Sequence, residues 1–345
     1  MAVTQKDIAR HLNIDPSAVS YALKDTGTGS AATRRQIREA ARKLDYRPNI
    51  LARGMRTGKT GTIGVLMGGD FQKLAGQLRQ IEESARLQGY HVLTGHGVSD
   101  VRYAPPEDIL ETEINQLDQF MRFQVDGLVV QTATIYLSDK HQKEYWDRVR
   151  RLVPEGHPVV AFDSPGDHGF AQISVDRFQW GQEAARNLRD LGYQNLLYVG
   201  SKKTFFSRQL YRGLQSVARL RCKVLEAEVT DDKSVFEGHR AAGSFEKGRA
   251  QVLVASNARI AHGLLIGLME KGVRVPQDVS LVALDSSEIL EWPPCPISSF
   301  EYRSEQLAQG VWQMMIQQLE GGNTNRKNQL GFSWGGGETL KENIG

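Results

Sequence analysis

The sequence predicts a small all-α helix-turn-helix head followed by a larger two-lobed α/β body with parallel sheets. Three observations predict it. Residues 1–46 carry apolar positions at helical spacing with capping residues in front of them. From residue 61 short apolar runs alternate with amphipathic stretches. The charge is also unevenly divided: residues 1–60 hold 12 Lys and Arg against 5 Asp and Glu, and the remainder holds 31 against 35. A basic head on a mildly acidic body points to a polyanion as the head's partner.

The head reads element by element. In VTQKDIARHL, Ile8, Ala9 and Leu12 share one helical face, with Thr4 as cap and Asp7 three residues on in near capping-box spacing. After the turn NID, Asp15 is an N-cap and Pro16 fits a first helical turn, where no N–H is needed. Val19, Ala22 and Leu23 form the apolar face of this second helix. Two short helices across a three-residue turn make the helix-turn-helix plan. A third helix begins at Ser30 or Thr33 and carries Ile37, Ala40, Ala41 and Leu44 as its stripe. The second helix is the candidate reader of a DNA major groove. Pro16 opens it, and Ser17, Ala18 and Tyr21 face away from its apolar stripe, as base contacts should. Thr4, Ser20, Thr33 and Arg34 suit phosphate contacts, which position the protein without specifying sequence.

Residues 47–60 read as a hinge. Pro48 and Asn49 open a short helical segment that has Gly54 inside it and ends at Gly58. A glycine there weakens an isolated helix by about 1 kcal/mol, so the segment needs outside support to form.

In the body, strands are expected at TIGVLM, HVLTG, VDGLVVQ, PVVAFD, QISVD, NLLYVG, VLEAEV, QVLVASN and VSLVALD, with amphipathic helices between them. So many strands exceed one ordinary open sheet. A split near 163–176 divides them into two lobes, with a ligand site between them at the strands' C-terminal ends. The chemistry of an enzyme is not in evidence: serine elbow, Walker loop, HExxH and GxGxxG patterns are all missing from the sequence. The eight histidines do not cluster at ligand spacing, so no cofactor or metal is expected. The two cysteines, Cys222 and Cys295, are far apart and are expected to remain unpaired thiols. The N-terminus lacks a signal-peptide layout and no apolar run has membrane-spanning length, so a cytoplasmic protein without membrane contact is expected.

The head and hinge resemble those of the LacI/GalR repressors. The pattern VTxxDIAxxLxIxxxAVSYAL, followed by TRRQIREAARKLDYRPNxLARGMRTGKTxTIGV, matches densely over residues 3–66. The resemblance extends more loosely through ISVD…GQEAARNLRDLGY…LLYVG and SNA…AHGLLIGLMEKGVRVPQDVSLVALD to about residue 320. It implies a body like that of periplasmic binding proteins, with the first lobe formed by 61–163 and 292–322 and the second by 164–291 and 323–345. It also implies a dimer on a pseudo-palindromic, double-stranded DNA operator, most readily a repressor that responds to a small molecule of carbohydrate type. An activator, or a regulator independent of any effector, is the alternative. In the hinge, Asn49, Ala52 and Arg53 would lie against DNA, and Met55 stands where the family places a leucine that wedges into the minor groove. Tyr21 stands where the family usually has arginine.

Carried over position by position, the implied effector residues are Asp163, Asn257 and Asp285; Phe71 in the first β–α loop and Trp292 are aromatic candidates, and Arg208 is a candidate substitute for a family arginine that is missing here. Carboxylates and amides at strand ends hydrogen-bond ligand hydroxyls, and the aromatic residues stack on rings. For each acid a helix cap or loop turn is the competing role. The family's Asn-Asp pair reads Asn257-Ala258 here, and its arginine three residues before Gly213 is Leu210. Beyond Gly322 there is no leucine heptad, so the family's tetramer helix is not expected.

Overall fold

The computed structural model describes residues 3–23, 30–46, 58–69, 71–98, 104–164, 166, 168–201, 204–225, 234–285, 288–292, 294–322 and 330–341. It divides into two compact units, Met1–Gly61 and Thr62–Gly345.

In the first unit, α1 (Gln5–Leu12), α2 (Pro16–Ala22) and α3 (Ala31–Lys43) enclose a core of Ile8, Ala9, Val19, Ala22, Ile37, Ala40 and Ala41. Each helix starts where its cap dictates. Asp15 accepts from the Ser17 N–H at 2.7 Å, and Ser30, not Thr33, caps α3 by accepting from the Thr33 N–H at 3.2 Å. Asn13 closes α1 in the left-handed region (φ 50°), a conformation that Asn tolerates better than most residues.

The second unit contains two parallel sheets. The first runs β2 (His91–His96), β1 (Thr62–Met67), β3 (Gly127–Gln131), β4 (Val159–Phe162), β5 (Ala171–Ile173). The second runs β7 (Arg221–Val224), β6 (Asn195–Val199), β8 (Val252–Ala255), β9 (Ser280–Ala283). The two orders repeat one doubly wound plan in which the first strand of each lobe lies between the second and third. Each sheet therefore has a switch point, between β1 and β3 or between β6 and β8, where a crevice opens. The helices on their faces are α4 (Phe71–Leu87), α5 (Pro106–Arg122), α6 (Asp139–Leu152), α7 (Arg177–Asp190), α8 (Phe205–Gln215), α9 (Val235–Gly243) and α10 (Ala258–Glu270). In the second lobe, helices approach to backbone contact. A Cβ on Gly213 would lie 2.1 Å from the Phe178 carbonyl oxygen, and one on Gly181 2.2 Å from that of Leu210, so α7 and α8 touch only because both positions are glycine.

The structure differs from the sequence expectations in three places. QISVD was expected to open the second lobe, yet Ala171–Ile173 pairs in parallel with Val160–Phe162 and forms the edge of the first sheet. Of the expected strand VLEAEV, residues 226–229 lie outside the described residues; just ahead of it Arg221–Val224, which was not expected, forms a strand that pairs with Asn195–Tyr198. The all-parallel expectation also lacks the antiparallel pair β10 (Phe300–Tyr302) and β11 (Phe332–Trp334).

After β10 the chain returns to the first lobe as α11 (Ser304–Leu319). Gln318 pairs with the backbone of Val159 at the start of β4, accepting its N–H at 2.9 Å and donating to its carbonyl at 3.0 Å. The last described segment returns to the second sheet instead, where the Leu281 N–H donates to the Thr339 carbonyl at 2.8 Å. One buried cluster runs from Ile63, Val65 and Met67 through Trp180 and Tyr198 to Val311 and Met315, so residues of both lobes share a core.

Candidate nucleic-acid interface and effector cleft

On the head, α2 presents its polar edge to solvent. Pro16 and Ser17 are exposed, Tyr21 has 54% of its surface open, and Ala18 and Ser20 are half-buried beside the buried Val19 and Ala22. Thr4 is committed locally: its hydroxyl and its N–H both donate to the Asp7 carboxylate, at 2.7 and 2.9 Å, and these bonds hold that carboxyl below its ordinary range. Bonds from Ser17 do the same for Asp15. Thr33 shares a 2.8 Å hydroxyl contact with Ser30, and Arg34 is half-buried one residue on. The arrangement is a three-helix unit whose second helix offers the Ser17 and Ser20 hydroxyls, one phenol and one small apolar surface. Asn49, Ala52, Arg53 and Met55 lie outside the described residues, as does the rest of the hinge helix.

In the body, Asp163 ends β4 in the left-handed region (φ 46°). Its carboxylate faces Arg177, the first residue of α7, in a bidentate pair of 2.6 and 2.9 Å, with each side chain only 13% exposed. Asp163 also accepts from the Val175 N–H at 3.3 Å. The Arg177 guanidinium lies 3.6 Å from the centroid of the Phe206 ring, so one cation joins the end of a first-lobe strand to two second-lobe helices. Sequence reading missed both Arg177 and Phe206. The pairing is a contact across a chain crossover, which neither periodicity nor local spacing reports.

Asn257 and Asp285 converge on the N-terminus of α10. The Asn257 side chain accepts from the Ile260 N–H at 3.1 Å, and the buried Asp285 accepts from the Ala258 N–H at 2.9 Å. These bonds satisfy amide groups that a helix start leaves unpaired. Ala258, at the position of the missing family carboxylate, is a buried methyl in the second-lobe core, and Leu210 is buried in the main core. Arg208 is exposed on α8, and Trp292 has 58% of its surface open after the 3₁₀ turn Glu288–Glu291. Phe71 begins α4, but its side chain lies outside the described part. Among the described residues, no group of three or more His, Cys, Asp or Glu could hold a metal ion, and no helix is long and apolar enough to cross a membrane.

Comparison with known proteins agrees with both halves of the chain. The profile of bacterial regulatory proteins of the lacI family matches residues 4–49, and that of the periplasmic binding protein-like domain matches residues 185–333. Catabolite control protein A of Staphylococcus xylosus is 26% identical over 312 residues, covering 87% of each chain. The protein of the same name from Staphylococcus epidermidis is 24% identical over 305 residues, again with 87% of each chain covered. Among solved structures, a lac repressor dimer bound to operator and the anti-inducer ONPF superposes with a TM-score of 0.77 at 19% identity, over 98% of this chain and 99% of that one. A complex of the transcriptional regulator CelR with cellobiose gives 0.62 at 18% identity, covering 98% and 100%.

A capped helix-turn-helix joined to a doubly wound two-lobed body defines a DNA-binding transcription regulator. Its head carries the lacI-family regulatory domain over residues 4–49, and its body the periplasmic binding protein-like domain over residues 185–333.

Proposed function

We propose that the protein is a dimeric repressor that binds a pseudo-palindromic operator and responds to a small, sugar-like molecule held between its lobes. The observation that carries this reading is the exposed edge of α2. Pro16, Ser17 and Tyr21 are presented by a helix whose other face is locked into the head's core. In this reading Ser17, Ala18 and Tyr21 meet base edges, while Thr4, Ser20, Thr33 and Arg34 meet phosphates. Asn49, Ala52, Arg53 and Met55 of two hinges enter the minor groove at the operator's centre. A two-fold DNA site asks for a two-fold protein, which supports the dimer. Phe71, Asp163, Arg208, Asn257, Asp285 and Trp292 are the effector residues of this proposal. The similar lac repressor structure holds an operator and the CelR structure holds cellobiose, which fits both partners.

A second reading has specific support. Asp163 is engaged by Arg177, Asn257 and Asp285 cap α10, and Ala258 and Leu210 are buried apolar residues. A regulator that has lost its effector would look the same.

Footprinting on fragments of the source genome tests the first claim: a protected inverted repeat supports it, and protection with no two-fold pattern overturns it. Thermal shift with cellobiose and ribose separates the two readings. A ligand at one hundred times its dissociation constant stabilises its protein by about 2.7 kcal/mol, so a saturable rise in midpoint supports the sensor and a flat response to both sugars favours the effector-independent regulator.

A further inference from the structure

Glu113 interrupts an apolar stripe. On α5 it lies three residues from Leu110 and four from Leu117, both buried, and it is itself wholly buried. Its carboxyl sits beneath the C-terminal ends of three strands. One oxygen accepts from the Ala133 N–H at 2.8 Å, just past β3, and the other meets the Thr132 hydroxyl at 2.6 Å. A Cβ on Gly68, the residue after β1, would lie 2.3 Å from the first oxygen and 2.3 Å from the Ala133 nitrogen. One on Gly97, the residue after β2, would lie 3.0 Å from the same oxygen. Both glycines thus leave room for one carboxyl, at the β1–β3 switch point where the crevice opens.

Burial favours the neutral acid, while its hydrogen-bond partners favour the carboxylate. Thr132 and Ala133 supply hydrogen bonds, and from α6 the facing group is Tyr145, whose hydroxyl burial holds well above its ordinary range. His96, before Gly97, is exposed. No cation faces Glu113 among the described groups that act on it, and burial raises its pKa to about 7 against the Thr132 and Ala133 bonds. Thr132 also lies 3.0 Å from the Thr134 hydroxyl and accepts from the Thr134 N–H at 3.0 Å. A protonated Glu113 donates to Thr132, which then donates to Thr134; when Glu113 ionises, that chain of hydroxyls reverses.

We infer that Glu113 is a positioning residue of the effector cleft, and that one proton held on it fixes the ends of β1, β2 and β3, tying the shape of the crevice to pH. The inference rests on the sensor reading of the cleft. The sign follows from linkage. A carboxyl that titrates higher folded than unfolded stabilises the fold at low pH, and that contribution is lost as pH rises from about 4.5 to about 7. Over the whole titration, from well below pH 4.5 to well above pH 7, the folding equilibrium constant falls by about 300-fold.

The test compares the full-length protein with E113Q and T132V. Glutamine keeps an acceptor for Ala133 and donates to Thr132 at every pH, so it imitates the protonated acid. Urea midpoints between pH 5 and 8.5 should fall with pH in the parent protein and stay flatter in E113Q. T132V, which removes a donor to the carboxylate, should move the fall to higher pH. Hydrogen exchange should show peptides covering 64–69 and 127–134 losing protection from pH 5.5 to 8, relative to 252–256 of the second sheet, in the parent protein only. Parallel profiles for parent and E113Q, or equal protection loss in both sheets, overturn the inference. Operator footprinting of the same variants separates this from failure of the regulator reading, because Glu113 is remote in sequence from every proposed DNA contact.

Discussion

Replacing Arg177 with methionine should destabilise the body and reveal what Asp163 is for. The substitution keeps an unbranched apolar stem against Phe206 but removes both bonds to the carboxylate, at 2.6 and 2.9 Å. Removing one partner of a fully buried pair costs about 3–5 kcal/mol, because the other charge is left without compensation. Both side chains here keep 13% exposure, so water partly re-solvates Asp163 and the expected loss falls to roughly 2–3 kcal/mol. The guanidinium 3.6 Å above the Phe206 ring adds about 0.5–1 kcal/mol, giving about 3 kcal/mol in total. For a unit of this size the thermal midpoint should drop by about 5 °C. D163N alone should cost somewhat less, since an amide can still accept from the Val175 N–H. The double variant should recover at least 1 kcal/mol relative to the sum of the singles. Urea unfolding of all four proteins at pH 7 measures the cycle. A single-variant loss under 1 kcal/mol with no coupling would refute the view that Asp163 is a structural clamp, and would return it to the set of groups open to a ligand.

Three further outcomes follow from the same geometry. Tyr21→Ala should change stability by less than about 0.5 kcal/mol, yet weaken operator binding by 1–3 kcal/mol with an unaltered salt slope, as measured by fluorescence anisotropy. Ile37→Ala removes a large side chain from a seven-residue core at a cost of about 2–5 kcal/mol; DNA affinity should vanish while the calorimetric transition of the body stays in place. Burial pushes the Cys222 thiol up to about 12, so thiol reagents at neutral pH should modify the part-exposed Cys295 first and reach Cys222 only on unfolding, as peptide mass mapping would record.

The head was nearly fully legible in the sequence because its determinants are local. Asp15, Asn13 and the Thr4–Asp7 pair act within one helical turn of the boundaries they set. Body strands buried on both faces announced themselves as apolar runs. Legibility failed where partners come from far along the chain. Whether Ala171–Ile173 extends the first sheet or opens the second is decided by its pairing with β4, and three residues carry too little pattern to say so. Arg221–Val224 alternates charged and apolar residues because it is an edge strand with one exposed side, so no apolar run announces it. The pairing of β10 with β11 spans the whole of α11. At the site, the strand-end acids were found, but their partners were not. One signal was available and unused: an acid at position 113 inside the Leu110–Leu117 stripe.

The strand-end acids constrain what any effector must do. Asp163 binds a cation, and Asp285 and Asn257 bind helix amides, so a ligand reaching for them has to replace bonds already made, charge-assisted at the two carboxylates. A neutral hydroxyl replaces Arg177 poorly, so a sugar that engages Asp163 has to offset the cost of opening the clamp. The same clamp joins β4 of the first sheet to α7 and α8 of the second lobe. A ligand that did prise Asp163 from Arg177 would therefore alter the connection between the lobes in the act of binding. Its affinity would be lowered by the free energy of breaking the clamp, and that free energy is what couples the cleft to the lobes' arrangement. Coupling of this kind is reciprocal, so R177M should bind such a ligand more tightly while transmitting less of its binding to the operator.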